Sequence, residues 1–218
     1  YLSTDTDQYR LSVPLANTTL TQDSMVVGEF TIRKMTKREF QAFNGIPHDV
    51  QSLVRTPPHL WSDSLLEIRV HVPRGESPLS SADQDRIWWF VACMKLLKPG
   101  SIGYEQIWVS PIGWTGMSFI AGSTLRLVAP SGDRYTLSPE DIPALEQLWT
   151  RVEGRVGVAP PFWSLALHRF SDAVNRARAD DKFLDLWIAC ESLFGHRTDT
   201  GEIGYQLSLR MAHYLESD

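Results

Sequence analysis

Two polar side chains near the C-terminal end are the first candidates for chemistry in this 218-residue chain. Arg210 and His213 are three positions apart in a helix predicted over residues 203–215, so their side chains are neighbours on its surface. A guanidinium beside an imidazole could hold a phosphate, or it could hold the carboxylate of Glu191. A solvated polar strip along a helix is the more common origin of such a pair.

Glu191 occupies an unusual position in the preceding predicted helix, residues 181–194. At 100° per residue it projects between Leu184 and Trp187, inside the apolar sector. In a packed bundle this carboxyl group would need a partner or would be driven towards its neutral form. A structural ion pair with Arg210 explains the position as readily as a functional site does. The polar arc of the same helix holds three other residues, Asp181, Asp185 and Ser192.

An amphipathic helix is predicted ahead of these two. Its apolar residues recur at helical spacing over four turns and predict a packed face, formed by Trp163, Ala166, Leu167, Phe170, Ala173, Val174 and Ala177. Four polar residues are expected outside that face, namely His168, Asp172, Asn175 and Arg176. Two glycines and two prolines between Gly154 and Pro161 indicate a domain boundary, and everything after it reads as helical.

The part before the boundary has mixed patterns. Residues 1–25 are polar and predict a loosely attached lead-in, and residues 25–32 predict the first strand. Thr36 and Glu39 form a capping box for a short helix that ends near Phe43. Further strands are predicted over residues 66–72, with His71 on the wet face, and over 104–109, 118–128 and 134–137, the last two joined by a turn at 131–133. Helices are predicted over residues 81–97 and 138–153.

Composition excludes several classes of protein. The chain has 21 Lys and Arg against 26 Asp and Glu, so it lacks the basic excess of proteins that hold nucleic acid mainly through phosphates. No apolar run is long enough to cross a membrane and no signal peptide is present, so we expect a cytoplasmic protein. Cys93 and Cys190 lie in apolar patterns and are interpreted as small core residues. We find no glycine-rich phosphate loop, metal-binding motif or glycine-flanked nucleophilic serine, and we expect no metal or cofactor.

The C-terminal segments together resemble a known family. The run DLWIACESLF at 185–194, followed by EIGYQLSLR at 202–210 and preceded by FSDA at 170–173, is similar to the Apea-like branch of the HEPN superfamily. The resemblance covers about a quarter of the chain. It implies an all-α bundle, frequently dimeric, that is associated with metal-independent RNA cleavage, toxin systems and defence against phage. Glu191 matches the family's acidic or polar supporting residue if any residue here does.

One element of the family pattern is missing from the sequence. Many members use an Arg and a His separated by four to six residues, whereas Arg210 and His213 are separated by two and Arg55 and His59 by three. Either the motif follows Asp218 in a longer protein, or this member has lost it. RNA cleavage of this kind needs a histidine near neutrality and a cation for the phosphate, and Arg210 and His213 are the candidates beside Glu191.

These observations predict an α+β protein in two parts. An N-terminal domain of helices and strands over residues 1–155 would recognise an unknown trigger, and residues 160–218 would form a partial HEPN-like antiparallel helical bundle. The predicted partners are RNA and a second copy of the chain bound through the helical unit, with no membrane. The leading hypothesis from the resemblance is part of a HEPN-type RNA-targeting protein, a metal-independent ribonuclease, toxin or anti-phage defence protein with its N-terminal region as sensor. The alternative hypothesis is a HEPN-like module that dimerises or binds a partner and has no catalytic activity.

Overall fold

The computed structural model describes residues 6–44, 62–113, 119–123, 133–195 and 203–216. Within these ranges the strands are β1 (Thr6–Ala16), β2 (Thr18–Leu20), β3 (Ser24–Val27), β4 (Phe30–Lys34), β5 (Ser62–Pro73), β6 (Gln106–Pro111), β7 (Phe119–Ser123) and β8 (Tyr135–Leu137). The helices are α1 (Lys37–Asn44), α2 (Ser81–Leu97), α3 (Ile142–Val152), α4 (Pro161–Asn175), α5 (Ala179–Phe194) and α6 (Ile203–Glu216). A mixed α+β chain, with its strands before its last helices, is therefore confirmed.

Six strands form one antiparallel sheet in the order β3-β4-β5-β1-β6-β7. β1 lies at its centre, paired with β5 over its whole length and with β6 over Tyr9–Ser12. The prediction of a loose lead-in is wrong for this segment, because Leu11, Val13 and Leu15 occupy every second position and fill the core. A separate pair of parallel strands joins β2 to β8.

Two further strand predictions need correction. Residues 25–32 form two strands, β3 and β4, joined by a tight turn at Gly28 and Glu29. Gly28 has a φ of 55°, which suits glycine in the two-residue turn of a hairpin. β7 pairs with β6 whereas β8 pairs with β2, so the two lie in different sheets. Residues 124–128 and 131–132, where the longer strand and its turn were predicted, lie outside the described residues.

One face of the sheet packs against α2 and α3 to form the hydrophobic core. Phe30 of β4 stacks on Phe90 of α2 at 4.0 Å between ring centroids, and each of these rings makes a T-shaped contact with Trp149 of α3. α2 begins as predicted, with Ser80 as its N-cap in a capping box with Asp83. The core explains why α2 is apolar almost all round, since both the sheet and other helices cover it.

The last three helices carry the candidate site. α4 and α5 are joined by only three residues, so they run back along each other as an antiparallel pair. α4 also contacts α2, through the stacking of His168 on Trp88 at 3.9 Å between ring centroids and through buried polar contacts described below. Residues 1–155 and 160–218 are thus in contact through α2 and α4. A complete HEPN-like bundle stays a prediction.

Candidate functional site

The orientation of α5 is set by one buried carboxylate. Asp185 is 3% exposed, and both of its oxygens accept hydrogen bonds from α4 or the residue that follows it. Arg169 donates from Nη1 at 3.1 Å, and Arg176 donates from Nε at 2.8 Å. The sequence had placed Asp185 on the polar arc of α5, so its burial corrects the expectation that this arc faces solvent.

As a result, the opposite side of α5 is exposed although it is apolar. Phe183 is 67% exposed and Leu184 is 57% exposed, and three more large side chains are also exposed, namely Leu186, Trp187 and Leu193. Periodicity alone predicts that the apolar arc is buried. In the structure, the buried carboxylate pairs with Arg169 of α4 and with Arg176, which follows α4, and this pairing turns the apolar arc outwards.

Glu191 lies on this exposed side and has a partner within its own helix. The Trp187 indole donates from Nε1 to the Glu191 carboxylate at 2.8 Å, four residues away. The half-buried carboxyl group is therefore satisfied without the interhelical ion pair that we considered. This hydrogen bond also fixes the Trp187 ring on the surface of α5.

Two of the three predicted site residues meet at one groove. Glu191 and Arg210 both line a cavity of about 890 Å³ between the start of α4 and the end of α5. Arg210 also donates a hydrogen bond to the Phe194 carbonyl at 2.7 Å, near the C-terminus of α5 where a cation is favourable. His213 is exposed on α6 and is not among the residues that line this groove. The remaining lining is mostly apolar and comprises Pro161, Phe162, Leu165, Ser192, Leu193, Phe194 and Gly195.

A buried lysine joins α2 to α4, and the sequence reading missed it. Lys95 is 3% exposed, and its Nζ donates to the Ser171 carbonyl at 3.0 Å and to the Ser171 hydroxyl at 2.7 Å. Burial lowers the pKa of Lys95 to about 8, although the nearby Asp172 carboxylate opposes this shift. The available signal was a single lysine within the apolar run of α2.

Two other polar residues of α4 depart from the helical pattern. Asn175 was expected outside but is buried, accepting from the Ser101 hydroxyl at 2.9 Å and donating to the Ile102 carbonyl at 3.1 Å. Asp172 is half-buried, and burial together with the Asp185 charge raises its pKa. The hydrogen bonds of Asn175 attach α4 to the N-terminal part and are buried, so they demand matched partners on both sides.

Cys190 is half-buried, whereas Cys93 is buried as predicted.

Among the described residues, no group of three or more His, Cys, Asp or Glu side chains comes together that could hold a metal ion. None of the described helices is long and apolar enough to span a membrane. What the groove offers is one carboxylate, one guanidinium and apolar walls. Such a lining can hold an apolar side chain or a ring with a polar edge.

The sequence matches no family model, and neither a curated protein nor a solved structure is similar to it. The HEPN resemblance therefore remains a prediction that depends on the residues quoted above.

Proposed function

We propose that the helical unit of residues 160–218 is an association module that pairs with a second copy of the chain through the exposed apolar side of α5. The observation that carries this proposal is the exposure of Phe183, Leu184 and Trp187 on one helix. Contiguous apolar patches of this kind mark interaction surfaces in soluble proteins. Large aromatic side chains are also the residues that most often dominate binding energy at an interface.

A second copy is the partner that best fits the resemblance, because HEPN domains are frequently dimeric. A twofold interface brings the same patch of both subunits together, so one apolar helix face can serve both sides. Phe162, Trp163 and Leu165 on α4 are exposed as well and extend the apolar surface beside the groove. Trp187 would enter the interface with its indole N–H already satisfied by Glu191.

The association proposal is tested by molecular mass across a concentration series. Phe183→Lys places a charge at the most exposed aromatic of α5, and Asp181→Lys is its control on the opposite side of the helix. We expect the wild type to have twice the mass of the 24.7 kDa chain. The dissociation constant of the dimer should be at least about tenfold higher for Phe183→Lys than for the wild type. Both variants make the chain less negative and so weaken the general repulsion between two copies. Asp181→Lys has the larger effect on net charge, so a change in net charge cannot explain dissociation that is confined to Phe183→Lys.

Two results would contradict the association proposal. One is a wild-type chain that stays monomeric at about 100 μM, which is well above the dissociation constant of a specific dimer. The other is equal dissociation of the Phe183→Lys and Asp181→Lys variants. Circular dichroism checks that each variant retains its helices, as expected for exposed positions.

A second candidate function is metal-independent RNA cleavage, with residues 1–155 as the sensor of a trigger. The observation that favours it is the shared groove of Glu191 and Arg210, which places a cation for a phosphate near a carboxylate. His213 would act from the adjacent turn of α6, three residues after Arg210. The motif of Arg, four to six residues and His is not found in this sequence, so these three residues are the ones to test.

RNA degradation by the natural full-length protein, with and without EDTA, tests the second candidate. Glu191→Gln keeps an acceptor for the Trp187 indole and removes only the charge, while Arg210→Gln removes the cation. If these residues form the site, each variant should lose at least about tenfold in rate, and EDTA should have no effect. Cleavage at the wild-type rate by both folded variants would remove them from the site.

A further inference from the structure

The second face of the large sheet, opposite the core, carries two arginines in direct cross-strand opposition. Arg10 of β1 pairs in register with Arg69 of β5 on one side and with Ser110 of β6 on the other. Directly opposed residues of antiparallel strands point to the same face, so these three side chains form one row across the centre of the sheet. Like charges in this arrangement are destabilising, which makes the pair unexpected in a chain with a net charge of -5.

Glu67, which lies within ion-pair range of Arg10, is already bonded to another arginine. Glu67 accepts two hydrogen bonds from Arg33, each of 2.9 Å, and one from the Ser12 hydroxyl at 3.3 Å. Arg10 Nε lies 3.6 Å from the Glu67 carboxylate, which is within ion-pair range but too long for a good hydrogen bond. Arg33 is also held by a second carboxylate, that of Glu39 at 2.6 Å and 2.9 Å. Arg10 and Arg33 therefore share two carboxylates, and Arg69 pairs with neither of them within the described residues.

Three groups of this row have no hydrogen-bond partner among the described residues. Arg10 Nε is buried and has no hydrogen bond to the part of the chain that the structure describes, although the rest of this side chain reaches solvent. Arg69 is exposed and has no hydrogen bond or ion pair within the described part of the chain. The Ser110 hydroxyl is buried and also lacks a hydrogen-bond partner in the described ranges. Gln8 and His71, opposed in register in the same face, add two further polar groups beside the arginines.

We infer that the Arg10 and Arg69 pair binds a phosphate-bearing ligand on this face of the sheet. Surplus guanidinium groups call for an anionic acceptor, and the planar fork of arginine matches the oxygens of a phosphate two at a time. The phosphate could belong to a free nucleotide or to an RNA backbone, and both present the same oxygens. The inference concerns residues 1–155 only, so it stands whether or not α5 mediates association.

Binding of three probes to the whole chain tests this inference: inorganic pyrophosphate, ATP and a short fluorescein-labelled oligoribonucleotide, at roughly 0.15 M salt. The variant is Arg69→Gln, and the matched control is Arg151→Gln, which removes another exposed arginine, from α3. We expect Arg69→Gln to weaken binding at least about tenfold and Arg151→Gln to change it by less than about twofold. Arg10→Lys, which keeps the charge but not the fork, should fall between the wild type and Arg69→Gln.

The pattern across the probes identifies the source of the phosphate. If the wild type binds pyrophosphate and ATP and Arg69→Gln does not, the ligand is a free nucleotide. If the wild type binds only the oligoribonucleotide and Arg69→Gln does not, the ligand is an RNA backbone. The inference is overturned if none of the probes binds the wild type at concentrations up to about 1 mM. It is equally overturned if Arg69→Gln and Arg151→Gln weaken binding to the same extent.

Discussion

Neutralising the buried carboxylate of Asp185 should loosen the α4–α5 pair more than any comparable change on the surface of α5. Asp185→Asn retains the size and one acceptor oxygen of the side chain but removes the charge that Arg169 and Arg176 share. A hydrogen bond to a charged group is worth about 1.5–3 kcal/mol, and Asp185 makes two of them. Two offsets reduce the sum.

The first offset is the exposure of the arginines, whose side chains are 39% and 34% exposed and can regain water when the carboxylate is neutralised. The cost should therefore lie below the 3–5 kcal/mol or so that is typical when a fully buried ion pair is broken. The second offset is relief of repulsion at Asp172, whose pKa is raised by burial and then by the charge of Asp185. We expect a net loss of about 2 kcal/mol, which lowers the melting temperature of a domain of this size by about 4–8 °C.

Urea denaturation of the wild type, Asp185→Asn and Asp181→Asn measures this loss. Asp181 is an exposed aspartate one turn earlier on α5, so its neutralisation should cost less than about 0.5 kcal/mol. Amide hydrogen exchange should show the loss of protection concentrated in α4 and α5. Equal stability of the Asp185→Asn and Asp181→Asn proteins would refute the argument that this carboxylate orients α5.

Two other predictions concern Lys95 and Gly100. Burial lowers the pKa of Lys95 to about 8, so between pH 8 and its unfolded value of about 10.4 the unfolded state binds more protons and wild-type stability rises with pH. Lys95→Met removes this dependence. In urea denaturation at increasing pH, the free energy of unfolding of the wild type should rise relative to that of the variant by up to about 3 kcal/mol across that window. A difference that stays constant with pH would contradict this prediction. Gly100 has a φ of 135°, and a Cβ there would lie 3.0 Å from the Tyr135 Cα, so Gly100→Ala should cost about 2–3 kcal/mol. Gly75→Ala, at a φ of 91° with nothing within 4 Å, should cost about 1 kcal/mol from backbone strain alone, and equal melting temperatures of the two variants would count against the role of Tyr135.

Much of the local structure could be predicted because it depends on residues within a few positions of each other. The capping boxes at Thr36 and Ser80 start their helices where the sequence indicated, and each consists of hydrogen bonds to a residue three positions on. β5 follows the alternation of its apolar residues, and His71 is exposed as predicted. β1 shows the same alternation from Tyr9 to Leu15, but its polar residues hid that pattern.

The candidate site was less predictable, since its geometry depends on contacts between distant segments. The sequence identified Glu191 and Arg210 as polar groups on the last two helices, and the groove brings both to one surface. It did not reveal that Trp187 would satisfy Glu191, nor that Lys95 would be buried against Ser171, 76 positions away. A contact over such a separation leaves no periodic trace in the sequence.

By itself, the sequence determined where α5 ends, placed its start two residues too late, and showed which of its residues form an apolar arc and which a polar arc. Only the tertiary structure decided which arc is buried. Hydrophobic periodicity predicts that the apolar arc packs, because it treats apolar side chains as buried and polar side chains as exposed. Arg169 and Arg176 reverse that outcome by giving Asp185 two partners at the helix interface, and the apolar arc faces outwards, where a second chain can meet it.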